Sequence, residues 1–143
     1  MRVRELSAGE TALAYAAMAA LRPHLADEAE FTRRVNERQR PQGYRLAAVV
    51  EDDGTVAAVA GFRVFDMLAF GRLLYIDDLS TLASARRRGH GRALLDWCGE
   101  EAVRLGCDAL HLDSGVGPDR RDAHRLYFNA GMRISSHHFV REL

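Results

Sequence analysis

Apolar and polar positions along the chain form segments that predict a mixture of strands and helices. Runs rich in Val, Ile, Leu, Tyr and Phe indicate strands, and apolar residues three or four positions apart indicate amphipathic helices. Strands are predicted over residues 3–6, 44–50, 55–65, 72–80, 109–113 and 132–141, the last as one strand or as a bent pair of strands. Helices are predicted over residues 10–20, 27–40, 91–105 and 119–130. The resulting order, β-α-α-β-β-β-α-β-α-β, predicts an α/β (α+β) fold with a mixed sheet and helices on both faces.

The composition is that of a globular protein and does not indicate a particular activity. The 143 residues predict one domain over 1–143, with 48% hydrophobic and 28% charged residues as in ordinary globular proteins. The net charge of +0 gives no general attraction to nucleic acid or to a membrane. The apolar runs are shorter than the roughly 20 residues of a membrane span, and the N-terminus lacks a signal-peptide core. We therefore expect a cytoplasmic protein.

The cysteines and histidines indicate no further chemistry. Cys98 falls on the apolar stripe of its predicted helix, beside Leu94 and Ala102, and the second cysteine is Cys107. A structural role is the ordinary one for such a buried cysteine. No spacing of His, Cys and carboxylate residues matches a metal site, so we predict no metal.

Residues 79–93, L-S-T-L-A-S-A-R-R-R-G-H-G-R-A, combine the end of a strand, a basic glycine turn and the start of a helix. Arg86-x-x-Gly89-x-Gly91 lets the backbone approach an anion closely, and the first N–H groups of the helix point at it. A nucleic-acid patch and a solvated basic turn are the alternatives, but neither requires Gly89 and Gly91 before a helix. The pattern predicts a pyrophosphate site.

A second motif, A-H-R-L-Y-F-N-A-G-M over residues 123–132, follows that loop. Together the two segments resemble the GNAT superfamily of N-acetyltransferases, strongly over residues 73–131 and only in layout before them. The resemblance implies a mostly antiparallel sheet, closing strands abbreviated here, and acetyl-CoA as cosubstrate. The residues it assigns to cofactor binding are Leu79, Ser80, Thr81, Arg86, Arg87, Arg88, Gly89, His90, Gly91, Arg92, Ala93 and Asn129.

Two adjacent acids, Asp77 and Asp78, interrupt an otherwise apolar strand. Because strand side chains alternate, we expect them on opposite faces, with Asp77 on the face of Tyr75 and Leu79. Relatives that act on small amines carry a similar acidic pair, whose first member is the usual base. The resemblance thus favours Asp77 as base, with Asp78 as its substitute. A plain ion pair, for instance between Asp77 and Arg63, is the structural alternative.

Acyl transfer explains why such a base is useful. A primary ammonium with a pKa near 10.4 is neutral in only about one molecule in 2,500 at pH 7, and only the neutral amine attacks a thioester. By resemblance, Tyr127 is the candidate acid beside the cofactor's sulfur, although core packing also fits its place on the helix. Arg22, His24 and Phe31 lie where related enzymes form a substrate wall.

These observations predict an acetyl-CoA-dependent N-acetyltransferase that acts by direct attack of the amine in a ternary complex. The acidic pair favours a small cationic amine as acceptor. A protein or peptide amine is the alternative acceptor, and a non-catalytic acyl-CoA sensor is the alternative of another class. We expect no nucleic-acid or membrane partner; relatives often form dimers, so a homodimer stays open.

Overall fold

Five strands form one sheet whose spatial order is the order of the chain. A computed structural model describes all residues, 1–143. The strands are β1 (Arg2–Leu6), β2 (Arg45–Val50), β3 (Val56–Met67), β4 (Gly71–Thr81) and β5 (Ala109–Leu112). The first four pair antiparallel, and β5 is parallel to β4. The predicted mixed, mostly antiparallel sheet is confirmed.

The two predicted N-terminal helices are each built from more than one kind of turn. A 3₁₀ segment, Ala8–Ala14, leads into α1 (Tyr15–Leu21). The helix α2 (Glu28–Arg34) begins where the Asp27 carboxylate accepts the Glu30 N–H at 2.7 Å, and it continues as a π-helical segment, Val35–Gln39. The third helix, α3 (His90–Arg104), agrees with the prediction to within one residue at each end.

Both faces of the sheet are covered by helices, as predicted. On one face, Met18 of α1 and Phe31 of α2 belong to a buried cluster. The same cluster contains Tyr44, the residue before β2, and Leu46 of β2. On the other face α3 buries Leu94, Leu95, Cys98 and Ala102. The Phe62 and Trp97 rings meet edge-on there, 5.8 Å apart. Burial raises the pKa of the Cys98 thiol to about 12, in keeping with a packing role.

The chain divides into two compact units, Met1–Leu112 and Asp113–Leu143. The single domain predicted over residues 1–143 stays a prediction. The second unit contains a 3₁₀ turn, Pro118–Arg120, and the helix α4 (Arg121–Asn129). No helix of the chain is long and apolar enough to cross a membrane.

The predicted final strand, residues 132–141, is wrong. Residues 132–143 form neither a strand nor a helix and are almost entirely exposed. A strand forms when its N–H and C=O groups bond to a neighbouring strand, and no strand pairs with this segment. The polar run Ser135-Ser136-His137-His138 also leaves no apolar face to bury, so the Val and Phe residues that suggested a strand, Phe139 and Val140, are exposed.

An ionic cluster joins α3 to the sheet and makes stability depend on pH. The Glu101 side chain, 8% exposed, accepts bonds from Arg104 at 2.9 Å and from Arg45, whose guanidinium also binds Glu5 at 2.7 Å. The Arg104 bond and then Arg45 hold the pKa of Glu101 at about 2, although desolvation opposes them. An unfolded Glu titrates near 4.3, so the stabilisation is complete above about pH 5 and is lost as pH falls toward 2.

Glu101→Gln is therefore expected to unfold at lower urea concentration than the wild type at pH 7, and to lose less stability between pH 5 and pH 2. Urea midpoints across that range measure both effects. Glu100→Gln, an exposed neighbour on the same helix, is the matched control and should follow the wild-type curve. Equal midpoints for Glu101→Gln and Glu100→Gln at pH 7 would contradict the assignment.

Candidate active site

The two strand acids lie at a β-bulge in the pairing of β3 with β4. Gly61 pairs with Asp78, but the next residue, Phe62, pairs with Ile76, so Asp77 has no partner on β3. A bulge inserts one residue and interrupts the alternation of side chains. The prediction that Asp77 and Asp78 face opposite sides of the sheet is therefore wrong.

Each carboxylate is held by an arginine on the same side of the sheet. Arg63 binds Asp77 through two bonds, Nη2 to Oδ2 at 2.6 Å and Nε to Oδ1 at 3.1 Å. Arg22 donates from Nε to Asp78 Oδ1 at 3.0 Å, and the Tyr44 hydroxyl donates to Asp78 Oδ2 at 2.7 Å. The Arg63 guanidinium lies over the Tyr44 ring, 5.7 Å from its centroid. The ion pair foreseen as the structural alternative for Asp77 is present.

Helix α1 ends at Leu21, and this end places the next residue, Arg22, beside β4. Arg22 is the C-cap residue of α1 and is followed by Pro23. Its Nη2 also donates to the Asp77 carbonyl at 3.1 Å. The Ser80 hydroxyl donates to the Ala17 carbonyl at 2.7 Å within the core. The buried Ser80 bond and the part-buried bonds of Arg22 together tie α1 to β4 and hold Arg22 beside Asp78.

Tyr44 is positioned from the opposite side by Gly61. A Cβ built on Gly61 would lie 1.7 Å from the Tyr44 hydroxyl oxygen, so no side chain other than glycine's fits beside the ring. Burial, followed by the Asp78 charge, raises the pKa of Tyr44 well above its usual value of 10. Tyr44 therefore remains a hydrogen-bond donor to Asp78 throughout the physiological range.

A cavity of about 210 Å³ opens beside Asp78, and we call it the β4 cavity. Three residues predicted to form a substrate wall, Arg22, His24 and Phe31, line it together with Asp78. The remaining lining residues are Met18, Leu25, Arg34, Val35, Gln39 and Tyr44. Asp77 does not line it. Sequence reasoning missed Tyr44, Gln39 and Arg34, since they belong to no motif and reach the cavity only through the packing of α2 and the turns after it.

The Asp77 carboxyl has an altered acidity. Its pKa is raised above the ordinary Asp value chiefly by burial; the bidentate Arg63 opposes that shift, and the Asp78 charge adds to it. The side chain of Asp77 is still 25% exposed. Asp77 thus sits beside the cavity-lining acid as a second carboxyl, with a pKa above the ordinary Asp value.

The C-terminal half of β4 presents backbone groups that β5 does not use. β5 ends at Leu112, opposite Ile76, so it does not pair with residues 77–81. The Leu82 N–H donates to the Ala57 carbonyl on the β3 side at 2.9 Å. Since backbone groups alternate in direction along a strand, Leu79 and Thr81 direct their N–H and C=O groups to the side away from β3.

The basic glycine turn has a backbone suited to an anion. Arg87 has φ 63° and is the only residue other than glycine with positive φ, and Gly89 has φ 83°. Alternation of ordinary and left-handed residues turns successive N–H groups toward one point. The Ala93 N–H makes the first bond of α3, to the Gly89 carbonyl at 3.0 Å, so the N–H groups of His90 and Gly91 precede the helical ladder. These residues fit a pyrophosphate.

The side chains of the turn divide into two groups. Arg86 and Arg87 are exposed and make no ion pair within the chain. Arg88 instead lies 3.4 Å from Glu51, and Arg92 bonds to Asp96 at 3.0 Å. The His90 ring is buried, with Nε2 3.1 Å from Glu51 and Nδ1 3.1 Å from the Met1 sulfur. His90 therefore has only its backbone available to a ligand.

The sequence profile of the Acetyltransferase (GNAT) family matches residues 12–132, most of the chain. The protein belongs to the GNAT family. It is an acyltransferase of the N-acetyltransferase class, and members of this family generally use acetyl-CoA.

Relatives and solved structures agree with that membership. An uncharacterized N-acetyltransferase of Bacillus subtilis (strain 168), YhdJ, is 33% identical over 131 residues, which are 91% of this chain and 89% of that protein. The aminoalkylphosphonate N-acetyltransferase of Salmonella typhimurium (strain LT2) is 35% identical over 68 residues, 48% of this chain and 43% of that one. The ribosomal-protein-alanine N-acetyltransferase of Brucella melitensis biovar Abortus 2308 shares the fold, with a TM-score of 0.84 over 100% of both chains at 14% identity.

In this GNAT protein the second motif forms the last helix of the second unit. Tyr127 and Asn129 lie on α4, which ends at Gly131, and the Met132 N–H donates back to the Tyr127 carbonyl at 3.0 Å. Tyr127 is half-buried, whereas Asn129 is exposed. Burial raises the pKa of Tyr127 above 10, and Arg120 partly offsets that increase. Its hydroxyl is therefore protonated at neutral pH and able to donate.

Proposed function

We propose that the enzyme transfers the acetyl group of acetyl-CoA to the primary amine of a small molecule bound in the β4 cavity. The observation that carries the proposal is the Asp78 carboxylate in the wall of a small cavity on the same strand as Leu79 and Thr81. A cavity of about 210 Å³ is below the roughly 300–1,000 Å³ of pockets for drug-sized ligands, which favours a small acceptor. The partial similarity to an aminoalkylphosphonate N-acetyltransferase supports the same class of acceptor.

On this proposal the donor lies along β4 and ends at the turn before α3. The outward backbone groups of Leu79 and Thr81 bond to the pantetheine arm, and the Leu79 N–H polarises the acyl carbonyl. The turn from Arg86 to Gly91 holds the pyrophosphate through backbone N–H groups, and the exposed side chains of Arg86 and Arg87 add charge. Ser80 contributes by holding the strand to α1.

We assign the first proton transfer to Asp78 rather than to Asp77, because both acids are paired with an arginine but only Asp78 lines the cavity. The substrate ammonium gives one proton to the Asp78 carboxylate, directly or through water. The neutral amine then attacks the thioester carbon, the C–N bond forms and the C–S bond breaks. The nitrogen loses its second proton to solvent. By resemblance to the family, Tyr127 gives a proton to the coenzyme A thiolate, and Asp78 and Tyr127 then exchange protons with solvent and return to their starting states.

Tyr127→Phe is expected to lower kcat/KM about tenfold to a hundredfold at pH 7, with unchanged affinity for coenzyme A. The thiolate has a pKa near 8.5 and leaves fairly well unaided, which limits the effect. The substitution keeps the ring, so a role in packing alone predicts wild-type kcat. Steady-state kinetics together with calorimetric binding of coenzyme A separates these results.

The proposal is tested by thiol release from acetyl-CoA with a panel of polyamines, amino acids, aminophosphonates, arylamines and short peptides. The expected result is release with a small amine and a product heavier by one acetyl group in the mass spectrum. All 20 Lys and Arg residues of the chain are arginine, so acetylation of the enzyme's own lysines cannot contribute to the signal. Tight coenzyme A binding with no release from any amine would instead support the sensor, and release only with peptides would support a protein acceptor.

A further inference from the structure

The β4 cavity carries more positive than negative charge. Arg22 and Arg34 line it with one acid, Asp78, and His24 is the third basic residue. Asp78 already accepts bonds from Arg22 and Tyr44. The sequence predicted a small amine as acceptor because the acidic pair suits a cation; a cavity with this balance of charge disfavours an amine that brings only positive charge.

Arg34 is the lining arginine that has no partner. It lies at the C-terminal end of α2, is exposed to solvent, and forms no hydrogen bond or ion pair with the rest of the chain. His24 also forms none. Arg22, in contrast, is engaged by Asp78 and by the Asp77 carbonyl. Asp78 uses two of the roughly four acceptor sites of a carboxylate, so it can still accept bonds from an ammonium, while the cationic group of Arg34 has no partner.

We infer that the acceptor is a small amine that also carries an anionic group, a carboxylate or a phosphonate, and that Arg34 binds this group. The inference rests on the proposed function and specifies the substrate of the same site. The planar guanidinium of Arg34 offers paired N–H donors that match either anion, and His24 adds a further donor. The amine lies at Asp78, so the two ends of the substrate meet opposite charges in one cavity.

The other residues that line the β4 cavity are mainly apolar. Met18, Leu25, Phe31 and Val35 offer no further charged group to a ligand. A short hydrocarbon spacer between amine and anion fits such a wall, because apolar contact is favourable there. Gln39 is the remaining polar lining residue, and its side-chain oxygen is 3.5 Å from Arg63. Short aminocarboxylates and aminophosphonates thus match the cavity better than polyamines, whose second cation would face Arg34.

The experiment compares substrates that differ only in the anionic group: β-alanine with β-alaninamide, and 2-aminoethylphosphonate with ethanolamine. The wild-type enzyme is expected to prefer the anionic member of each pair by at least about tenfold in kcat/KM. Arg34→Gln should lower kcat/KM for the members with an anionic group by about ten- to a hundredfold, mainly through KM, and change kcat/KM for the members without one less than twofold. Arg33→Gln removes the same charge from the same helix outside the cavity and is the matched control.

The outcomes separate this inference from the proposed function. Equal use of the members with and without an anionic group, or equal losses for both in Arg34→Gln, overturns the role of Arg34 while acetyl transfer to small amines stands. Equal losses in Arg33→Gln and Arg34→Gln would show that the effect comes from the overall charge of the helix and not from Arg34 itself. That result would also overturn the inference. Coenzyme A binding without thiol release from any of the four amines overturns the proposed function and the inference with it.

Discussion

Asp78→Asn is expected to lower kcat/KM for the amine acceptor by about a hundredfold to a thousandfold at pH 7, the usual range for removing a general base. The amide keeps the size of the carboxylate and can still accept a bond from Arg22 or Tyr44, so the β4 cavity should keep its shape. It has no charge with which to bind an ammonium or to take its proton. The deficit should narrow as the pH rises, because a growing share of the substrate is already neutral.

Asp77→Asn is the matched control, one residue away on the same strand. In the wild type the Asp77 carboxylate is held by Arg63 and does not line the cavity. We therefore expect kcat/KM to fall by about tenfold or less in Asp77→Asn. Both variants should bind coenzyme A as the wild type does, because neither residue belongs to the turn before α3. A larger loss in Asp77→Asn than in Asp78→Asn would return the role of base to Asp77, the residue that the family resemblance favours.

Gly61→Ala is expected to destabilise the protein by about 2–4 kcal/mol and to remove most of its activity. The added Cβ would stand 1.7 Å from the Tyr44 oxygen and 2.3 Å from the ring carbon that bears it. Tyr44 is 5% exposed and has little space in which to move. Displacing it costs packing and breaks the bond to Asp78, so stability and kcat/KM should fall together.

Gly99→Ala is the control for that substitution. Gly99 lies within α3, and a Cβ there would meet no atom within 4 Å. Alanine is a better helix former than glycine, so this variant should gain about 0.5–1 kcal/mol and keep full activity. Urea denaturation and thiol-release kinetics on both variants measure the two quantities. Wild-type stability in Gly61→Ala would show that the contact between Gly61 and Tyr44 is not a tight one.

Much of the sheet could be predicted because its strands are long apolar runs with turn residues between them. The turn residues Asp52-Asp53-Gly54 lie between the predicted strands 44–50 and 55–65, and β2 and β3 lie close to those bounds. The glycine turn before α3 is also a local signal and appears where predicted. The bulge at Asp77 could not be predicted in the same way. It depends on how β3 is paired to β4, and in particular on Gly61, which lies 16 positions earlier in the chain.

The candidate site was predictable where a motif or the family layout covers it, and not where it depends on tertiary packing. Arg22, His24 and Phe31 follow from the layout of relatives and do line the β4 cavity. Tyr44 and Arg34 carry no local signature, since a tyrosine before a strand and an arginine at the end of a helix are common anywhere. The final strand was wrong because β-propensity alone does not supply a pairing partner.

The central claim is that the acceptor amine binds beside Asp78 in the β4 cavity. The measurement that tests it most directly is a crystal structure of the enzyme with coenzyme A and the best small amine from the panel. We predict the amine nitrogen within about 4 Å of the Asp78 carboxylate, the distance of an ion pair, and the pyrophosphate on the turn from Arg86 to Gly91. An amine bound elsewhere, with the β4 cavity empty and coenzyme A in place, would contradict the account.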